Sequence, residues 1–64
     1  MNIQNKRTLE RLLNYRENNG VTFQFISKQI SIHYNNISKW KADKTQFSLE
    51  TLRRINDWLD SKER

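Results

Sequence analysis

Apolar side chains recur every three or four residues along most of this chain. That spacing places them on one side of an α-helix, so it predicts helices that each bury a single stripe. The predicted helices cover about residues 3–18, 23–30, 33–42 and 48–61. The predicted buried stripe of the first helix consists of Leu9, Leu12, Leu13 and the stem of Arg16. That of the fourth helix consists of Leu49, Leu52, Ile55 and Leu59.

Capping residues support these boundaries. Gly20 follows the first helix, and glycine adopts the left-handed conformation at a helix end without a steric penalty. Thr22 and Ser48 precede the second and fourth helices, where a hydroxyl can accept a hydrogen bond from an amide of the first turn. Glu50 adds negative charge to the first turn of the fourth helix, which the helix dipole favours. The ends therefore agree with the apolar spacing.

The composition favours helices over strands. The 64 residues include one glycine and no proline, whereas hairpins and sandwiches need many turn residues. We expect an all-α fold, as one compact four-helix domain over residues 1–64. A domain of this size buries only about 60% of the surface of its unfolded chain. Its core is therefore thin and leaves little room for an enclosed substrate cavity.

The middle of the chain carries the most specific pattern. Two short predicted helices are separated by about three residues, and such helices cross steeply, as in a helix-turn-helix unit. The apolar residues expected to seal this corner are Ile26, Ile30, Ile32, Ile37 and Trp40. The outer face of the third helix is left polar.

Charge and residue content narrow the possible chemistry. Twelve Lys and Arg against seven Asp and Glu give a formal net charge of +5. Such a surplus attracts polyanions, although it also simply keeps small proteins soluble. The chain has no cysteine and one histidine, which excludes disulfides, thiolate chemistry and the commoner zinc sites. We expect no metal, no cofactor and no small-molecule effector.

No membrane partner is expected either. No apolar run approaches the roughly 20 residues needed to cross a bilayer. The predicted location is the cytoplasm, with association to the nucleoid when the protein is bound to DNA.

The residue order over about Leu9–Leu59 resembles a known family. The matching text is Val21-Thr22, Ile26-Ser27-Lys28-Gln29-Ile30, Ile32, Ile37-Ser38-Lys39-Trp40, Ser48-Leu49-Glu50-Thr51-Leu52 and Ile55. Upstream, Arg16-Glu17 and Gly20 stand where the family places an Arg-Glu pair and a loop glycine. With this spacing the chain resembles the phage repressor and Cro-like helix-turn-helix proteins, often called the Xre family. The resemblance implies a lambda-repressor-like fold of four helices, without the fifth helix that many relatives have.

The resemblance also implies residues that touch DNA. By position, the base contacts in the major groove would be Tyr34, Asn35, Ser38 and Lys39. The phosphate contacts would match, or lie beside, Thr22, Gln24, Asn36, Lys41 and Lys44. Apart from the resemblance, we expect His33 to cap the third helix or contact a phosphate, and not to bind a metal. The chemistry suits these roles, because Asn can pair with adenine and Lys can donate to guanine. A polar helix face is ordinarily only solvated, and the helix-turn-helix spacing is what favours DNA here.

Some positions differ from the family pattern. Phe23 stands where a phosphate-binding Gln is common, so that contact must come from a backbone amide or a neighbour. Ser31 replaces the usual turn glycine, which costs on the order of 1 kcal/mol if its backbone is left-handed. Lys41 replaces a frequent Glu that pairs with an arginine of the first helix. We therefore expect Arg16 to lack that carboxylate partner.

Two aromatic residues are candidate contacts for a dimer or another partner. Trp58 lies at the edge of the fourth stripe, where it could cover an open part of the core or anchor a homodimer. We favour the dimer, because one reading helix covers only a half-site. Phe25 either extends the core or contributes to a partner-binding patch.

Three functions follow from these features. The leading hypothesis is a sequence-specific regulator that binds double-stranded DNA, a repressor from a phage, plasmid or similar mobile element. The alternative is a protein-binding module on the same fold, such as an antirepressor, antitoxin or inhibitor, since fold does not settle function. An enzyme is the poorest reading, because no spacing forces the carboxylates and the single histidine into a catalytic pair.

Overall fold

The computed structural model describes residues 1–63 and shows an all-helical chain. Its helices are α1 (Ile3–Asn19), α2 (Phe23–Ile30), α3 (Tyr34–Lys41) and α4 (Leu49–Lys62). No strand occurs within that range. The all-α prediction is confirmed, and every predicted boundary lies within one residue of the observed one. Across these residues no helix combines the length and the apolar character needed to traverse a bilayer.

Each helix is preceded by an N-cap residue whose side chain accepts a hydrogen bond from an amide of the first turn. The predicted caps Thr22 and Ser48 are confirmed, accepting from the amides of Phe25 and Thr51. Asn2 does the same for α1. The predicted capping role of His33 is confirmed: it is the N-cap of α3, one residue before the helix begins. A short helix gains most from such caps, because its first amides have no partner within the helix.

The first three helices are each followed by a residue in the left-handed region. Gly20 has φ 64°, Ser31 has φ 57° and Asp43 has φ 60°. In all three places the next amide reaches back to a carbonyl five residues earlier, with N···O distances of 3.3, 3.1 and 2.9 Å. Only the first of these positions is a glycine, so the other two carry a conformational cost. The left-handed residues Ser31 and Asp43 make the chain turn sharply before and after α3.

The core is one cluster that draws on all four helices. Its buried apolar members are Leu12, Phe23, Ile26, Ile30, Ile32, Ile37, Trp40, Leu52, Ile55 and Leu59. The five side chains predicted to seal the corner between the second and third helices are all among them. Leu9, Tyr15, Val21, Phe47 and Trp58 pack against this cluster and are partly buried.

Three predicted members of the buried stripes are exposed, so those predictions are wrong. In α1 the buried positions are Asn5, Thr8 and Leu12, which turns Leu13 and Arg16 towards solvent. The helix takes this orientation because its polar residues find partners inside the protein. In α4 the member of the predicted stripe that is exposed is Leu49, at 64% accessible. It is the first residue of the helix and lies at the margin of the core.

The buried side chain of Asn5 connects α1 to α3 and to the loop before α4. Its amide oxygen accepts from the Trp40 indole and from the Phe47 amide, both at 2.9 Å. Its amide nitrogen donates to Asn2 Oδ1 at 2.9 Å and to the Phe47 carbonyl at 3.2 Å. The two oxygen lone pairs and both amide hydrogens are thus used, which is the full bonding capacity of the side chain.

A second polar link joins α1 to α4. Asn56 donates to the hydroxyl of Thr8 at 3.0 Å. Arg11 donates to Asn56 Oδ1 at 3.0 Å, to Asp60 at 2.6 Å and to Glu63 at 2.9 Å. The bonds to Glu63 and Asp60 raise the pKa of Arg11 above its ordinary value. The contacts advance in the same direction along both helices, which therefore run side by side and roughly parallel.

Replacing Asn5 should destabilise the protein strongly. We expect Asn5→Ala to lower the free energy of unfolding by about 3 kcal/mol, because it strands the Trp40 indole and both backbone groups of Phe47. Chemical denaturation followed by circular dichroism measures this. The matched control is Asn14→Ala, at an exposed position of the same helix, which should change stability by less than about 0.5 kcal/mol. Equal effects of the two substitutions would contradict the role given to Asn5.

Replacing Ser31 by glycine should have the opposite effect. Glycine adopts φ 57° without a Cβ clash, so we expect Ser31→Gly to raise the free energy of unfolding by about 0.5–1 kcal/mol. The control Ser38→Gly lies inside α3 and should lower it by about the same amount. A loss of stability in Ser31→Gly would show that the serine side chain outweighs the strain.

Candidate nucleic-acid interface

Helices α2 and α3 form a tightly held pair. Each has eight residues, and three residues connect them. Ile32 in this connection is buried. Arg54 of α4 donates to the carbonyl of Ile30 at 2.7 Å, which satisfies a free carbonyl at the end of α2. Arg54 is an exposed residue of α4, and its charged donor reaches across to hold the corner between α2 and α3.

The polar face of α3 lies directly opposite its buried face. Ile37 and Trp40 have no accessible surface, and the four predicted base contacts are all exposed. At about 100° per residue, those four span about 140° centred opposite the buried pair. Asn36 and Lys41, predicted as phosphate contacts, are exposed on either side of this arc. Within the described chain, the side chains of the four predicted base contacts make no hydrogen bond.

The capping role of His33 determines how its ring can be used. Nδ1 accepts from the Asn35 amide at 3.1 Å. The neutral ring therefore has its hydrogen on Nε2. His33 is exposed, so Nε2 can donate to an acceptor outside the protein. This arrangement is compatible with the predicted phosphate contact, and the same ring also fixes the first turn of α3.

The start of α2 presents polar groups in a similar way. Thr22 Oγ1 accepts from the Phe25 amide at 3.1 Å. Because the oxygen is the acceptor in that bond, its hydroxyl hydrogen remains available to a phosphate. Gln24 in the first turn of α2 is exposed. Lys44 is exposed beyond the turn that ends α3. The structure thus leaves each of these predicted phosphate contacts accessible.

Phe23 belongs to the core and carries two cations above its ring. It is 6% exposed, with Lys41 Nζ 4.3 Å and the Arg16 guanidinium 5.0 Å from the ring centroid. Aromatic rings attract cations at these distances. Among the described residues, Arg16 has no carboxylate within ion-pair distance. Two positive charges therefore lie beside the first turn of α2.

The order of charged residues along the chain is a further signal for this surface that the sequence contains. Between Glu17 and Asp43 the chain has no acidic residue, while it has Lys28, Lys39 and Lys41. All of α2 and α3 lies within this segment. The net charge alone does not reveal this, since the seven carboxylates lie entirely on the two flanking segments.

The two candidate partner contacts have different surroundings. Phe25 is 42% exposed, so its ring does not extend the core. Trp58 is half-buried and packs on Tyr15, with ring centroids 5.0 Å apart. Lys62 Nζ lies 5.7 Å from the Trp58 ring. Trp58 therefore covers the edge of the core within its own chain, and a contact with a second chain stays a prediction.

The comparisons with known proteins give no family for this chain. No protein-family model matches it, and neither the search of curated proteins nor that of solved structures finds a significant match.

The contact between Lys41 and Phe23 should be measurable. A double-mutant cycle of Phe23→Leu and Lys41→Met should show a coupling energy of about 0.5 kcal/mol, the size of an exposed cation–π contact. Urea denaturation of the four proteins gives the value. A parallel cycle of Phe23→Leu with Lys39→Met serves as control, because Lys39 lies on the opposite side of α3. A coupling energy indistinguishable from that of the control cycle would contradict an interaction between Lys41 and Phe23.

Proposed function

We propose that this chain binds double-stranded DNA with α3 in the major groove and acts as a sequence-specific transcriptional regulator. The observation that carries the proposal is the exposed polar arc of α3, held opposite Ile37 and Trp40 and flanked by cations. An α-helix fits the width of the major groove, where each base pair offers a distinct pattern of donors and acceptors. The pairing of α2 with α3 is what a helix-turn-helix unit requires.

The side chains of this arc suit base recognition. Asn35 can pair with adenine through two hydrogen bonds, and Lys39 can donate to guanine O6 and N7. Ser38 can bond either type of base, and Tyr34 can contact a thymine methyl or a phosphate. These side chains have no partner to give up within the described chain. Binding DNA therefore breaks no intramolecular bond of theirs.

The flanking groups suit the phosphate backbone. Lys41 and Lys44 bring charge to the end of α3, while Thr22 and His33 keep a donor for phosphate oxygens. Such contacts orient a protein on DNA without reading sequence. The chain has no acidic residue between Glu17 and Asp43, so neither α2 nor α3 carries a carboxylate that would repel the phosphate backbone.

A regulator of this kind would act by occupancy. Bound over a promoter, it would exclude polymerase and so repress transcription in the cytoplasm, at the nucleoid. Two copies would cover two half-sites one helical turn of DNA apart. The origin we infer from the family resemblance is a phage, plasmid or similar mobile element.

Protein binding remains the second candidate. The observation that favours it is the exposed ring of Phe25, which is 42% accessible on α2. Phe23, which is 6% exposed, belongs to the core and does not add to this surface.

The proposal is tested by selecting a duplex from a randomised pool and measuring its affinity by gel shift. We expect Asn35→Ala with Lys39→Ala to weaken binding by about 100-fold, since each base contact is worth about 1–3 kcal/mol. The control Lys6→Ala with Asn14→Ala removes the same residue types from exposed positions of α1 and should bind as the parent does.

Salt dependence separates DNA contact from adsorption. About four to eight neutralised phosphates per dimer give a slope of about −4 to −7 for log Kobs against log salt. Lys44→Ala should reduce that slope by about 1 per protomer and leave the sequence preference unchanged. If no duplex is enriched, or the α3 variant binds like the parent, the regulator proposal fails.

A further inference from the structure

A groove between α1 and α4 lies away from the proposed DNA-binding surface. It has a volume of about 480 Å³ and takes no lining residue from α2 or α3. Three arginines line it, Arg7 and Arg11 from α1 and Arg53 from α4. Its apolar part is formed by Leu49 and Leu52. No carboxylate is among its lining residues in the part of the chain that the structure describes.

The arginines of this groove differ in what they already bind. Arg11 is engaged by Asp60 and Glu63, at 2.6 and 2.9 Å. Arg7 lies one helical turn before it on the same side of α1. Over residues 1–63, neither Arg7 nor Arg53 has a carboxylate within ion-pair distance. Of the three arginines that line the groove, one is thus already paired with carboxylates that lie outside it, and the other two are not.

The exposed leucine distinguishes this groove from an ordinary charged surface. Leu49 is 64% accessible and lines the same groove as Arg7 and Arg53. Arginine stems and a leucine side chain bury well against an aliphatic or aromatic group. A sugar-phosphate backbone would satisfy the arginines and leave that apolar surface without a partner. A protein segment can satisfy both.

We propose that the α1–α4 groove binds an acidic segment of a partner protein, one that carries carboxylates beside a large apolar side chain. The carboxylates pair with Arg7 and Arg53, as those of Asp60 and Glu63 already pair with Arg11. The apolar side chain covers Leu49 and Leu52. Bidentate arginine–carboxylate pairs give such a contact its specificity. Because the groove is separate from α3, this binding does not depend on the proposed DNA function and leaves that surface accessible.

The probe is a short synthetic peptide of repeated Glu-Glu-Leu-Leu with a fluorescent label, titrated into the full chain. Two matched peptides replace every Glu by Gln or every Leu by Ala. We expect only the parent peptide to bind. Amide chemical shifts of the isotopically labelled protein should change at Thr8, Leu52 and Asn56, and stay constant along α3.

Variants locate the contact. Arg7→Ser with Arg53→Ser should weaken binding by about tenfold or more. Lys6→Ser with Lys28→Ser removes the same charge from outside the groove and should leave it unchanged. Leu49→Gln, at an exposed position, should weaken binding without altering the denaturation midpoint.

Each of the following results would overturn the proposal. They are equal binding of the Gln peptide, shifts confined to α3, an unchanged affinity in the arginine variant, or displacement of the peptide from the groove by a DNA duplex. The last would make the groove a nucleic-acid surface. Self-association of the protein through the groove, detected by sedimentation, would make a second copy the occupant and would equally refute an acidic partner segment.

Discussion

The fold depends on the amide of one buried asparagine. Asn5 binds the indole of Trp40 and both backbone groups of Phe47, so a single side chain fixes where α1 begins, how α3 ends and how the chain enters α4. The Trp40 and Phe47 rings then stack at 4.7 Å between centroids. A buried polar group of this kind is costly unless all its bonds are made, and here they are. It therefore permits one arrangement of these elements and penalises the others.

The charges of the molecule are arranged as separate regions. The carboxylates lie on α1, α4 and the loop between α3 and α4, where two of them hold Arg11. All charged residues of α2 and α3 are lysines. Lys41 of α3 and Arg16 of α1 lie over the ring of Phe23. Residues 18–42 are thus free of carboxylates although the net charge of the chain is only +5, and attraction of a polyanion depends on local potential more than on net charge.

Much of this fold could be predicted from the sequence, because apolar spacing and caps are local signals. The four helices and the caps Thr22 and Ser48 follow from them. The face that α1 buries could not be predicted, since Asn5 and Thr8 are buried only through partners some forty residues distant. The exposed arc of α3 followed from the same periodicity. The hydrogen bond from Arg54 to the Ile30 carbonyl could not be predicted, because nothing in the sequence indicates which carbonyl an arginine on a helix surface will reach.

The exposed arc of α3 also has an evolutionary consequence. The helix is held in place by Ile37, Trp40 and the cap His33. The four outward side chains contribute nothing to its stability. Substitutions among those four should therefore be nearly neutral for folding, while under the proposed function they would change which sequence the surface recognises. A protein with only about 5–15 kcal/mol of stability can acquire new specificities without loss of folding only when recognition and stability use different residues. This small scaffold satisfies that condition, so it is suited to rapid divergence and to redesign.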